Sequence, residues 1–235
     1  MKARFYCLWA VLAMVLCVSV ARAQSTSAAT AQNKRIDPAL LAKANGGDAG
    51  AQYQLGYMYY HGDGVRRDYS QAEFWYRNAA EQGDPDSQLK LGGLYHFGRG
   101  VPQDSAEAFA WSMKAAEQGK SDAEFFIAAC YTAGWGVAQD DAQAVVWLRK
   151  AAEQGDAFSQ YMLGRAYEIG LGGPKDYAEA YFWLDLAASE KIKDTKRKEV
   201  INGRDEAALH LSPADQARVQ ERADEWRKNH PAQSQ

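Results

Sequence analysis

Cysteine is scarce in this chain: Cys7, Cys17 and Cys130 are the three among 235 residues. The first two fall in an amino-terminal apolar run, so beyond it Cys130 stands alone and neither an intrachain disulfide nor a paired-cysteine zinc site can form. Cys130 falls in a register otherwise filled by Met58, Leu94 and Ala166, which reads as a buried small hydrophobe rather than a reactive thiol. Histidine is equally sparse. His61, His96, His210 and His230 include no pair at ligand spacing and no H-E-x-x-H. His61 and His96 stand near the C-termini of the first helices of adjacent units, but two ligands fall short of a zinc set. A G-x-S-x-G nucleophile elbow is also missing. These absences leave no catalytic residue, no metal site and no cofactor site to assign, and the chain reads as a non-enzyme.

Positive charge is in deficit, with 27 basic residues against 30 acidic ones and a formal charge of −3. That balance makes nucleic acid a poor partner. Long hydrophobic runs are confined to one place, residues 5–20, and those 16 residues fall short of the roughly 20 needed to span a bilayer. Lys2 and Arg4 precede the run and Ala21-Arg22-Ala23 follows it. This is the order of a secretory signal, cut between Ala23 and Gln24, rather than of a membrane anchor. Lipid attachment at Cys17 is disfavoured by the bulky Leu16 before it. Cleavage removes Lys2, Arg4 and Arg22, leaving 24 basic against 30 acidic residues, or −6, in a periplasmic or secreted protein with no stable membrane insertion.

What the chain does have is a 36-residue period. Counted from Gly47, Gly83, Gly119 and Gly155, the same offset holds Leu55, Leu91, Ile127 and Leu163, and four residues on stand Tyr59, Tyr95, Tyr131 and Tyr167. Ala51, Ser87, Ala123 and Ser159 lie four residues before the Leu/Ile set, so the three positions form one face of a helix. Gly56, Gly92, Ala128 and Gly164 follow the Leu/Ile directly. Glycine inside a helix costs about 1 kcal/mol relative to alanine, and its recurrence predicts a close crossing with a second helix.

A G-x-G then recurs, at Gly62 and Gly64, Gly98 and Gly100, Gly134 and Gly136, and Gly170 and Gly172, with Val65, Val101 and Val137 behind the first three. No strand precedes it, so a phosphate loop is rejected in favour of a left-handed helix stop with the valine tucked beneath. Asp68, Asp104, Asp140 and Asp176 stand where a carboxylate caps the second helix. That helix carries Ala-x-x-Trp-x-x-x-Ala four times, with Trp75, Trp111, Trp147 and Trp183 as expected core wedges.

The pattern A-x-x-x-L-G-x-x-Y-x-x-G-x-G-V, then D, then A-x-x-W-x-x-x-A-A-E-Q-G, resembles the Sel-one-like (SLR) subclass of tetratricopeptide-type repeats. Departures are mild: Ile127-Ala128 in the third unit, Gly173 for valine in the fourth, and Ser189-Glu190-Lys191 where the array ends. The resemblance implies an all-α fold, an α/α superhelical solenoid of helix-turn-helix units that binds other proteins. The organisation expected is a signal (1–23), a lead-in without periodicity (24–35) and a capping helix (36–46). Four repeats follow (47–82, 83–118, 119–154, 155–190), then a capping helical pair (191–229) and a frayed tail (230–235). The basic cluster at 191–198 reads as a solvated turn and helix face.

Residues that repeat are needed for stacking, so ligand specificity is sought in those that do not. On the first helices these are Gln54, Tyr57 and Tyr60 in unit one, Lys90 and His96 in unit two, Phe126 in unit three, and Arg165 and Glu168 in unit four. Aromatics beside separated charges suit a protein or peptide segment. The function expected is therefore an exported, non-enzymatic scaffold that holds an envelope protein or peptide in a concave groove, as a regulator or an assembly adaptor. The alternative is binding of peptidoglycan, or β-lactam binding or hydrolysis. The β-lactam reading is weakened because the cysteine-rich relatives it rests on carry a cysteine pair in each repeat.

Overall fold

The structure, a computed structural model, describes residues 36–189 and 194–230. The predicted signal segment and lead-in fall outside the described residues, as do residues 231–235 of the tail. Every regular element among the described residues is a helix. In chain order they are α1 Pro38–Asn45, α2 Ala49–His61, α3 Tyr69–Glu81, α4 Pro85–Phe97, α5 Ser105–Glu117 and α6 Ser121–Ala133. They continue with α7 Asp141–Glu153, α8 Ala157–Ile169, α9 Tyr177–Ser189, α10 Asp194–Leu209 and α11 Pro213–Asn229. Consecutive helices from α1 to α10 pack on one another, and α9 also takes α11 against it. This is an α-solenoid.

Local chemistry sets the helix ends. Asp68, Asp104 and Asp176 each accept from two backbone N–H groups of the following turn, and Asp140 accepts from one, that of Gln143. Gly62, Gly98, Gly134 and Gly170 close the first helix of each pair in the left-handed conformation. Leu55, Leu91, Ile127 and Leu163 are fully buried, and the four tryptophans of the second helices are buried with them. Burying one such leucine is worth about 1.5–3 kcal/mol. Close crossings lie where the helix-interior glycines predict them: a Cβ on Gly56 would stand 2.5 Å from the Tyr76 ring, and one on Gly164 would stand 2.6 Å from Leu184.

The second glycine of the last three G-x-G motifs has a different task from the first. Gly100, Gly136 and Gly172 sit at φ of +77°, +71° and +67° against the backbone that opens the preceding unit's second helix, at Tyr69, Ser105 and Asp141 respectively. These are contacts between repeats, and any side chain would obstruct them.

A ladder of amides runs through the buried layer. The Nε2 groups of Gln52, Gln88 and Gln160 donate to the carbonyls of Ala44, Ala80 and Ala152 at 3.1, 3.1 and 3.3 Å, each bond reaching back to the preceding helix. Gln82 and Gln118 donate in turn to Gln52 and Gln88 at 2.7 and 2.8 Å. In the third unit the rung is Glu124, which accepts from Gln154 at 2.7 Å. An ionised carboxylate has no proton to offer the Ala116 carbonyl. Burial pushes the Glu124 carboxyl above its ordinary range, opposed by the Gln154 amide and by Lys150.

Glu124→Gln is therefore expected to stabilise the protein by about 1 kcal/mol at neutral pH, the ordinary worth of one hydrogen bond. Because the folded-state pKa is raised, the wild-type contribution is fully present below the unfolded value near 4.5 and is lost as pH rises through the folded value. The gap between variant and wild type should thus be small at pH 4 and open toward pH 7. Paired thermal melts check this, and a variant no more stable at pH 7 would refute the ladder's energetic role.

Candidate functional site

The outer faces of α2, α4 and α6, with the loops that follow them, assemble one connected strip of aromatic rings and guanidinium groups. At its amino-terminal end the Tyr57 and Tyr60 rings lie 4.2 and 4.9 Å from the His61 ring, and Tyr60 meets Tyr69 edge-on at 5.4 Å. Arg99 then crosses from the second unit. Its Nη1 donates to the Tyr60 hydroxyl at 2.6 Å, and its guanidinium carbon stands 5.6 Å from the Tyr69 ring and 5.0 Å from the Phe97 ring. Cation–π attraction of this kind holds an arginine against its rings. From Phe97 the strip passes to His96 at 4.7 Å, and from His96 to Phe126 at 5.3 Å and to Trp135 at 4.8 Å.

The left-handed turns aim the loop residues. Gly98 reverses the chain after α4 and the Arg99 N–H bonds back to the Leu94 carbonyl at 2.9 Å, which fixes where the arginine leaves the loop. Phe97, Trp135 and Tyr57 are 62, 42 and 41% exposed. Three large rings open to solvent on one continuous surface make an apolar patch of the sort that marks an interaction site.

Of the residues singled out in the sequence, Tyr57, Tyr60, His96 and Phe126 meet on this strip. Gln54, which is exposed, and the half-buried Lys90 share the helical register of Phe126 but belong to none of the ring contacts. Arg165 and Glu168 are placed elsewhere. They pair with each other at 2.5 Å, and a Cβ on Gly203 of α10 would come within 3.7 Å of the Arg165 Nη1, so they lie where α10 joins the array. Tyr161 binds Glu199 of α10 at 2.5 Å beside them.

Phe97, Arg99, Trp135, Tyr69 and Arg67 were not singled out. Their signal lay in the loops. The offset of Arg99 holds Asp63, Trp135 and Leu171 in the other units, so the non-repeating residues that decide this surface are loop residues as much as helical ones.

His61 and His96 fall in separate aromatic neighbourhoods. No group of three or more metal-ligating side chains occurs among the described residues. Cys130 is buried, and burial pushes its thiol up to about 12, so it stays protonated at neutral pH. A cleft of about 270 Å³ opens between α7, α9 and α11, lined by Arg149, Trp183, Arg222 and Trp226. Its two guanidiniums share one carboxylate, Glu179. No helix among the described residues is long and apolar enough to cross a membrane.

The Sel1 repeat family model matches residues 49–84, 85–120, 121–156 and 157–191. Among solved structures, the chain is similar to a protective antigen of uropathogenic Escherichia coli that displays an SLR fold. The two are 30% identical with a TM-score of 0.71, and the likeness covers 81% of this chain and 40% of the antigen. A Sel1 repeat protein from Oxalobacter formigenes is 36% identical with a TM-score of 0.62, over 75% of this chain and 73% of that one. Among curated proteins, none matches the chain at a significant level. This chain therefore spans less than half the length of the Escherichia coli antigen.

Proposed function

The chain belongs to the Sel1 repeat family, and from that premise we propose that it is an exported, non-enzymatic scaffold that holds a partner protein of the cell envelope on the aromatic strip of α2, α4 and α6. The observation that carries this reading is the exposure of Tyr57, Phe97 and Trp135 on one connected surface. Sel1 repeats are helical scaffolds for protein interaction, and rigid aromatic anchors are the residues that dominate binding energy at such surfaces. The order of charges, apolar run and small residues in positions 1–23 supports export to the periplasm.

A photoreactive amino acid at position 57 or 135, activated in intact cells, tests the reading. The captured protein is then purified and titrated against wild type and against the triple variant Tyr57→Ala, Phe97→Ala, Trp135→Ala. The variant is expected to keep its helical content and to bind at least tenfold more weakly, a loss of about 1.4 kcal/mol or more. A folded variant with undiminished affinity sinks the strip as the binding surface. Retention of the protein on peptidoglycan sacculi through the same three residues replaces the protein partner with the cell wall. A mature amino terminus other than Gln24 overturns the proposed processing.

A further inference from the structure

Two guanidinium groups crowd one tyrosine at the middle of the strip. Arg67 and Arg99 stand 5.5 and 5.6 Å from the centre of the Tyr69 ring, the first from the loop of unit one and the second from the loop of unit two. Arginine is charged at every accessible pH, so both groups stay cationic. Several other arginines are answered by a carboxylate. Arg77 has Glu73, Arg149 has Glu179, and Arg227 has Asp185 and Asp224. At Tyr69 no carboxylate stands within ion-pair distance of either guanidinium among the described residues. Asp68, the acid next in sequence, spends its Oδ1 on the N–H groups of Ser70 and Gln71.

Arg99 is nevertheless fixed by the Tyr60 hydroxyl and three rings, while the exposed Arg67 rests on the Tyr69 ring. The set occurs once in the array. The offsets of Arg67 and Tyr69 hold Gln103 and Ser105 in unit two, Gln139 and Asp141 in unit three, and Lys175 and Tyr177 in unit four, where lysine stands for arginine and no following repeat supplies a second guanidinium. Two guanidiniums about one ring, one of them fixed and neither ion-paired among the described residues, suit an anion.

We propose that Arg67 and Arg99, backed by Tyr60 and Tyr69, bind the carboxylates of an acidic peptide segment whose neighbouring apolar side chain lies on Phe97. The choice of peptide rests on the protein-binding reading above. The site adjoins exposed rings, and a carboxylate reached across an aromatic surface is what an acidic side chain beside an aromatic or aliphatic one presents.

The mature chain, isotopically labelled for the arginine Nε–Hε signals, is titrated with three probes. These are the acetylated and amidated peptide Trp-Glu-Glu-Glu-Glu, its Trp-Gln-Gln-Gln-Gln counterpart, and inorganic phosphate. The glutamate peptide is expected to shift the Arg67 and Arg99 signals and to bind at least tenfold more tightly than the glutamine peptide. Its affinity should fall about fivefold or more in Arg67→Gln and in Arg99→Gln. Arg67→Gln removes no hydrogen bond seen in the fold and so keeps the test sound if Arg99→Gln perturbs the loop. Arg218→Gln, an exposed arginine of α11 paired to Asp215, should bind as wild type.

Equal binding of the two peptides, or undiminished binding by both site variants, overturns the proposal. Phosphate that shifts both signals and displaces the peptide at equal concentration overturns the assignment to a peptide. A partner captured through Tyr57, Phe97 and Trp135 alongside a silent glutamate peptide sinks the anion site alone. Glutamate-peptide binding that depends on Arg67 and Arg99, with no partner captured through the aromatic strip, sinks the strip reading alone.

Discussion

Gly136→Ala is expected to be the most destabilising single-methyl change in the array, lowering stability by about 3–5 kcal/mol in urea denaturation, a size reserved for strain and severe overpacking. Two costs combine. Gly136 has φ +71°, where alanine is strained. The new Cβ would also fall on the carbonyl oxygen of Ser105 and stand 2.5 Å from its carbon and 2.9 Å from the Ala106 Cα. The obstruction is backbone, so relief requires the third unit to move away from the second.

Neighbouring glycines separate the two costs. Gly134 shares φ +71°, but its Cβ would meet nothing closer than 3.7 Å, so Gly134→Ala should lose only the conformational part, about 1 kcal/mol. Gly93 lies within α4 with nothing inside 4 Å of its Cβ, and Gly93→Ala should stabilise by about 0.5–1 kcal/mol. If Gly136→Ala and Gly134→Ala lose the same amount, the inter-repeat contact is not a constraint.

Asp185→Ala carries the second large effect. The carboxylate is 9% exposed and gathers groups from both terminal helices: Arg204 of α10 at 3.5 Å, Gln220 of α11 at 3.3 Å, and Arg227 of α11. Removing one partner of a buried pair costs about 3–5 kcal/mol. Here the figure is reduced toward about 2–4 kcal/mol, because both guanidiniums are 30% exposed and retain Asp205 and Asp224. The loss should be local. Hydrogen exchange is expected to accelerate in α10 and α11 while the amides of α2–α5 keep their protection, and Asp185→Asn should fall between variant and wild type. Uniform acceleration along the whole chain would refute a role confined to the terminal pair.

The fold was legible because four copies of one unit average out local accident. Leu55 and its equivalents, the helix-stopping glycines, the aspartate caps and the tryptophan wedges all recur at one offset, and recurrence separates what stacking needs from what chance supplies. Three features stayed hidden for physical reasons. The glutamine ladder uses polar side chains in a buried layer, and periodicity of apolar residues is blind to it. Gly100, Gly136 and Gly172 look identical in sequence to the helix-stopping glycines before them, although their constraint comes from a backbone one unit away. Asp185 stands at the offset of Arg77, Met113 and Arg149, and its partners lie 19 to 42 residues further on, in helices outside the repeat. At the candidate site the same limit applied. Tyr57, Tyr60, His96 and Phe126 could be picked from helical register, whereas Arg67, Arg99 and Trp135 depend on where left-handed turns aim a loop.

The substitution of Glu124 into the amide ladder also has a mechanical side. Its missing rung is the one that would tie the third unit back to the second, through the Ala116 carbonyl. The same unit opens α6 with Lys120 in place of a capping aspartate, leaving no side-chain cap and relying on the Lys120–Asp86 pair at 2.7 Å. Pulled from its two ends, the solenoid should part first at that seam. It would separate into a front half that bears Arg67 and Arg99 and a rear half anchored by Asp185, so tension on the chain would tear Trp135 away from His96 before either half unravelled.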